Sequence, residues 1–156
     1  MGGKLVMRSI LAGAAIALAL VAPVSAQTVE EQQARAALGG YRQAIEALDA
    51  AAAGNYFWPD SVVFEQGGVE GDFATYLAHH LGPEFDEIAA FDFRDVETSV
   101  VVEGDVAYAT ETYTYHITFK DSARAPVERR GVATSVLRRR GGEWRIVMHH
   151  SSARAP

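Results

Sequence analysis

Residues 106–119 read VAYATETYTYHITF, and their alternation decides the fold class. Ala107, Ala109, Glu111, Tyr113, Tyr115 and Ile117 fall on one face of an extended chain, and Tyr108, Thr110, Thr112, Thr114 and His116 on the other. A period of two residues is that of a strand with one face covered. Similar runs lie around it, at Val96 to Val102, Val127 to Arg139 and Glu143 to Ser152. They are separated by Glu103-Gly104-Asp105, Lys120 to Pro126 and Arg140 to Gly142, so the spacing predicts an antiparallel meander. The face carrying Ala107, Ala109 and Ile117 is expected inside. Glu111 is then a carboxylate among alanine and tyrosine, and burial there would raise its pKa and suit it to proton transfer. His116, among threonines, reads as an exposed sheet residue.

The first half of the chain reads differently. Thr28 with Glu31 three residues on forms a capping box, and Ala37, Tyr41, Ala44, Ile45, Leu48 and Ala52 line one helical face. One amphipathic helix is therefore predicted over 28–53. Gly39-Gly40 inside it costs roughly 2 kcal/mol against alanine, which points to a kink or to the close approach of another backbone. Tyr56, Phe57 and Trp58 precede Pro59, a short strand is predicted over Ser61–Glu65, and Gly67-Gly68 makes a turn. Asp72 caps a second helix from Phe73 to about Leu81, ended by Gly82-Pro83. Helices first and strands afterwards predict an α+β domain with the helices on one face of the sheet.

Lys4 and Arg8, the apolar stretch Ile10 to Val21 and the small residues around Pro23-Val24-Ser25-Ala26 read as a secretory signal peptide over 1–26, cleaved after Ala26. The run is too short for a membrane span, which needs ~20 apolar residues. The expected product is one periplasmic or secreted domain over 27–156, with no membrane anchor. Two of the 14 basic residues leave with the leader, so 12 face 20 acidic ones and the formal charge is −8. Nucleic acid and anionic lipid are poor partners for such a surface. There is no cysteine, which removes thiol nucleophiles, disulfides and thiolate metal sites.

Three segments carry a family likeness. Tyr41-Arg42-Gln43-Ala44-Ile45, Trp58-Pro59-Asp60-Ser61-Val62-Val63-Phe64 and Gly142-Glu143-Trp144-Arg145-Ile146-Val147 resemble the nuclear transport factor 2-like superfamily in its SnoaL-like branch. The resemblance implies a cone-shaped fold, a strongly bent antiparallel sheet wrapped around N-terminal helices. It also implies an apolar pocket at the open end, and a homodimer through the outer sheet face. The branch includes isomerases, dehydratases, hydrolases and non-catalytic binding or assembly domains, so fold alone does not select a reaction. No motif places the aspartate, tyrosine and aspartic acid trio of the steroid isomerase type.

Four of the five histidines form doublets, His79-His80 and His149-His150. Imidazole titrates nearest physiological pH and is a common metal ligand. Plain alternation puts Trp144, Ile146, Met148 and His150 on the core face of the last strand, with Arg145, Val147, His149 and Ser151 outside. His150 is thus the expected general acid or base, oriented by Glu65 or Glu111, with Tyr76, Tyr113 or Tyr115 donating to a developing oxyanion. His80 shares a helical face with Phe73, Tyr76 and Leu77, and His79 is placed at the rim. Trp58, His80, Tyr113, Tyr115 and Met148 are the expected lining of a pocket for a small apolar molecule. The main reading needs no cofactor. An alternative uses Glu65, His79, His80 and His150 as ligands to zinc, copper or nickel, and a third is a non-catalytic pocket whose histidines are satisfied core groups.

Overall fold

Six strands form one sheet in the order β2-β1-β6-β5-β4-β3 in the computed structural model, which describes residues 28–156. The expected leader lies outside the described residues. The elements are α1 (Val29–Glu46), α2 (Ala50–Gly54), β1 (Phe57–Glu65), β2 (Gly68–Gly71), α3 (Phe73–Tyr76), a π-helical turn (Leu77–Leu81), α4 (Gly82–Glu87), β3 (Ile88–Glu103), β4 (Val106–Phe119), β5 (Val127–Arg140) and β6 (Glu143–Arg154). The meander β3 to β6 is antiparallel as expected, and β1 joins its edge parallel to β6. Helix α1 packs on β3 and β6 and shields one sheet face. Leu38, Val63, Leu137 and Ile146 are fully buried between them.

The capping box at Thr28 forms, with Glu31 N–H donating to Thr28 Oγ1 at 3.2 Å and Thr28 N–H to Glu31 Oε2 at 2.8 Å. The single helix expected over 28–53 is instead two. Leu48 takes a φ of 53°, and Asp49 starts α2 by accepting from Ala52 N–H at 2.9 Å. A left-handed residue is incompatible with a continuing helix, whatever the apolar periodicity on either side. Gly39-Gly40 does not interrupt α1. What comes close there is a side chain rather than a backbone, since a Cβ on Gly40 would stand 2.4 Å from the Tyr56 ring.

Two strands are longer than expected. β1 begins at Phe57, and Pro59 is tolerated because the pairing with β6 is irregular between Phe57 and Val62. β3 begins at Ile88, and shifts of register between Ile88 and Ala90 and between Arg94 and Glu97, with Asp95 at φ 51°, bend it. The helix expected to stop at Gly82-Pro83 runs through to Glu87. Gly82 N–H donates to Leu77 O, five residues back, and a Cβ on Gly82 would lie 2.6 Å from that oxygen. This widened turn lets Pro83, which has no N–H, sit in the first turn of α4.

The correction with the largest consequence is in β6. Val136 pairs with Met148 but Leu137 pairs with Ile146, so Val147 is an extra residue opposite no partner. A bulge of one residue exchanges inside and outside for everything beyond it. Trp144 and Ile146 are buried before the bulge, and His149 is buried after it.

Candidate functional site

The bulge sets the inner face of the sheet as two cross-strand rows. One runs Val63, His149, Ser135, Ala109, Val100 and the next runs Glu65, Ser151, Ala133, Glu111, Thr98. Above the second row, between α1, the α3–α4 segment and the sheet, is a cavity of about 150 Å3. That is room for one ring-sized molecule, since benzene occupies an engineered apolar cavity of about this volume. Tyr41, Tyr76, Phe91, Phe93, Tyr113 and Tyr115 supply its aromatic wall. Glu65, Glu84, Glu111, Arg42 and His149 supply its polar groups.

Glu65 ends β1 immediately before the turn in which Gln66 and Gly67 have positive φ. Its Oε2 accepts from the Tyr76 hydroxyl at 2.6 Å. Burial, reinforced by the Glu65 charge, holds the Tyr41 and Tyr76 hydroxyls well above the ordinary tyrosine range. Tyr113 is pushed up to about 12, chiefly by burial, then by Tyr115 and Glu65. All three are therefore protonated donors at neutral pH. Glu111 lies three strands from Glu65 along its row, a separation of roughly 14 Å at ~4.8 Å per strand. The Arg42 guanidinium and the Thr98 hydroxyl, at 3.1 Å, both donate to Glu111 Oε1. An adjacent guanidinium favours the charged carboxylate. That opposes the effect of burial that the sequence suggested, and Glu111 is the ion-pair partner of Arg42.

His149 Nδ1 lies 2.9 Å from Ser135 Oγ, and its ring meets Tyr41 and Phe57 edge-on at 5.5 and 6.2 Å. Burial, and secondarily His150, push its pKa down to about 4. At neutral pH it is a neutral imidazole. Its Nε2 has no hydrogen-bonding partner among the described residues, so it is available to whatever occupies the cavity. At the mouth, His80 Nε2 is 3.6 Å from Glu65 and 3.4 Å from Glu84, and Nδ1 is 3.6 Å from Glu70. Burial pushes the Glu84 carboxyl up, with Glu65 adding to the effect and His80 opposing it.

Of the residues singled out from sequence, Glu65, Tyr76, Glu111, Tyr113 and Tyr115 line the cavity and His80 stands at its mouth. His150 and Met148 do not. Beyond the bulge they point to the outer face, where His150 is exposed beside Phe64. Trp58 is also elsewhere, its indole N–H donating to Arg138 O at 2.9 Å while Arg140 and Arg145 lie over the ring. His79 is exposed. Of the proposed ligands Glu65, His79, His80 and His150, only Glu65 and His80 meet, and no group of three or more such residues is arranged to hold a metal among the described residues. Sequence reasoning missed His149, Tyr41, Arg42 and Glu84 as cavity residues. Tyr41 was already legible on the apolar face of α1, but nothing local marks Val147 as the bulged residue.

The sequence profile of the SnoaL-like domain matches residues 34–156. No functionally curated protein matches the chain. Among solved structures, a ketosteroid isomerase-like protein from Erwinia carotovora atroseptica superposes with a TM-score of 0.71 at 19% identity, over 83% of this chain and 100% of the other. A nuclear transport factor 2-like superfamily protein from Salmonella enterica serovar Typhimurium gives 0.69 at 18% identity, over 81% and 90%. A protein provisionally named an aromatic ring hydroxylase, from Novosphingobium aromaticivorans, gives 0.73 at 18% identity, over 84% and 94%. At these identities the likeness carries the fold alone.

Proposed function

The chain belongs to the SnoaL-like domain family, within the nuclear transport factor 2-like fold, and from that premise we propose that its cavity performs metal-free proton transfer on a small ring-sized substrate with Glu65 as the base. One observation carries the reading. The Glu65 carboxylate lines the cavity, is oriented by Tyr76 at 2.6 Å, and its charge acts on Tyr41, Tyr113 and Tyr115 around it. A carboxylate removing a proton α to a carbonyl generates an enolate, and the negative oxygen needs donors that are themselves protonated. Tyr41 supplies one. His149 supplies a second in the tautomer where Ser135 donates to Nδ1 and Nε2–H faces the cavity. The proton held on Glu65 then returns to a different carbon in an isomerisation, or assists departure of a hydroxyl in a dehydration.

The test is exchange of the α-protons of cyclohexanone in D2O, followed by NMR. Wild-type protein is expected to accelerate exchange, and Glu65→Gln to lower the rate at least ~100-fold, the low end for a general base. No acceleration over buffer, or equal rates in the two proteins, would overturn the assignment. Saturable binding without exchange would leave a non-catalytic pocket.

The outer sheet face supports a homodimer. Val62, Met148, Val136, Tyr108 and Val101 form an uninterrupted apolar row across five strands, with Tyr108 and Val101 about half exposed. Light scattering is expected to give twice the chain mass for wild type and a monomer for Tyr108→Glu, and a wild-type monomer would remove the proposal. Export rests on the N-terminal sequence, and N-terminal sequencing of secreted material is expected to begin at Gln27.

A further inference from the structure

We propose that the ligand of this cavity carries a positive charge, as a small ammonium or quaternary ammonium group seated among Tyr41, Tyr76, Phe91, Phe93, Tyr113 and Tyr115 in the field of Glu65 and Glu84. The inference rests on the reading of this cavity as the ligand site and adds the charge class of what enters it.

Three features of the lining carry it. The first is the aromatic wall. Phe91 contacts Phe93 and Tyr115 at centroid distances of 4.8 and 5.3 Å, Phe93 meets Tyr113 at 5.0 Å, and Tyr113 meets Tyr115 at 6.3 Å. These rings form a continuous panel, and Tyr41 and Tyr76 bound the cavity with it. The negative faces of such rings attract a desolvated cation, which is how quaternary ammonium groups are recognised.

The second is the sign of the charge left over. Among the described residues, Arg42 is the one lysine or arginine lining the cavity, and it is committed to Glu111. Glu65 and Glu84 have no such partner, and with Glu70 they surround the single imidazole of His80. Three carboxylates against one histidine leave the mouth negative even when His80 is protonated. Arg129, the cross-strand partner of Tyr115, is the nearest other guanidinium, and it stands at the Tyr115 side of the panel rather than among Glu65, Glu70 and Glu84.

The third is independent of the acidic groups. Tyr41 and His149 are more than nine-tenths buried, line the cavity, and offer the Tyr41 hydroxyl and His149 Nε2 with no protein partner among the described residues. Both residues line the cavity, so a ligand atom there can take up the hydrogen bonds that the protein leaves open. Neither carries a positive charge, and neither repels a cation. Burial pushes the Glu84 carboxyl up and the Glu65 charge adds a smaller push, which a cation bound between them would offset.

The experiment compares choline with 3,3-dimethylbutan-1-ol, its uncharged isostere, by calorimetry on the wild-type protein at pH 7.5. Choline is expected to bind at least tenfold more tightly than the alcohol, and Glu84→Gln to lower the choline affinity at least threefold while leaving the alcohol unchanged. Equal or tighter binding of the alcohol overturns the cationic ligand while leaving the ring-sized pocket intact. Binding of neither probe overturns it as well. Proton exchange on cyclohexanone is read separately, so an active enzyme that shows no preference for choline loses only this inference.

Discussion

The burial of His149 sets a pH dependence that can be worked out in advance. The imidazole goes from an ordinary 6.5 to about 4 on folding, and at 1.36 kcal/mol per pH unit that is worth about 3 kcal/mol. Above pH 6.5 the ring is neutral in both the folded and unfolded chain, and its full contribution is present. Between pH 6.5 and 4 the unfolded chain takes up a proton that the fold refuses, so stability falls as pH falls. Below about 4 both states are protonated and the loss is complete. Other carboxylates titrate in the same window, so the quantity to follow is a difference. Urea unfolding of wild type and His149→Gln at pH 7, 6, 5 and 4 should show the wild-type advantage shrinking by about 3 kcal/mol, or roughly 10 °C in Tm. His150→Gln, on the exposed neighbour, is the control and should keep most of the wild-type pH dependence, losing only the smaller part that His150 adds to the burial of His149. Parallel curves for wild type and His149→Gln would refute the burial argument. Loss of the pH dependence in His150→Gln instead would refute the bulge at Val147, because it would put the other histidine inside.

Three further perturbations test how the cavity is built. Gly82→Ala gains up to ~1 kcal/mol of helix propensity, yet its Cβ would stand 2.6 Å from Leu77 O, so a net loss of about 2 kcal/mol is expected by urea denaturation. A stabilised variant would mean that the π-helical turn is not required. Glu111→Gln leaves the Arg42 guanidinium without its counter-ion and should lower stability by about 3 kcal/mol, while the double change Arg42→Met with Glu111→Leu should recover most of it. A double variant no better than the single would show that the pair does more than neutralise itself. Gly131→Ala would drive the Tyr113 ring from a position 2.2 Å from the new methyl, and choline affinity should fall at least threefold as the aromatic panel is displaced. Unchanged affinity would remove Tyr113 from the binding wall.

The legible part of the site is the part that follows from local period. Glu111, Tyr113 and Tyr115 lie in an unbroken stretch of β4, whose pairing with β5 runs without a shift, so counting by twos places them on the inner face. Glu65 and Tyr76 are placed by a strand end and a capped helix start, both marked by local residues. The same counting fails in β6 one residue after Ile146. Whether Val147 pairs or is extruded depends on β5 and β1, which hold Met148 opposite Val136 and Val62. Leu48 is a similar case, since apolar spacing runs evenly through a residue that turns left-handed.

The amino-acid sequence by itself determined the order of helices and strands, the α+β class, the antiparallel meander and the acidic, cysteine-free surface, because these depend on neighbours within a few residues. Only the tertiary structure decided that His149 rather than His150 faces the cavity, that Glu111 is neutralised by Arg42, 69 residues away in sequence, and that Glu65 and Glu84 meet at one mouth. The physical reason is the same in each case. Strand parity, ion pairing and the sign of an electric field are set by groups brought together across the sheet, and a single extra residue in one strand reverses the face of every side chain beyond it.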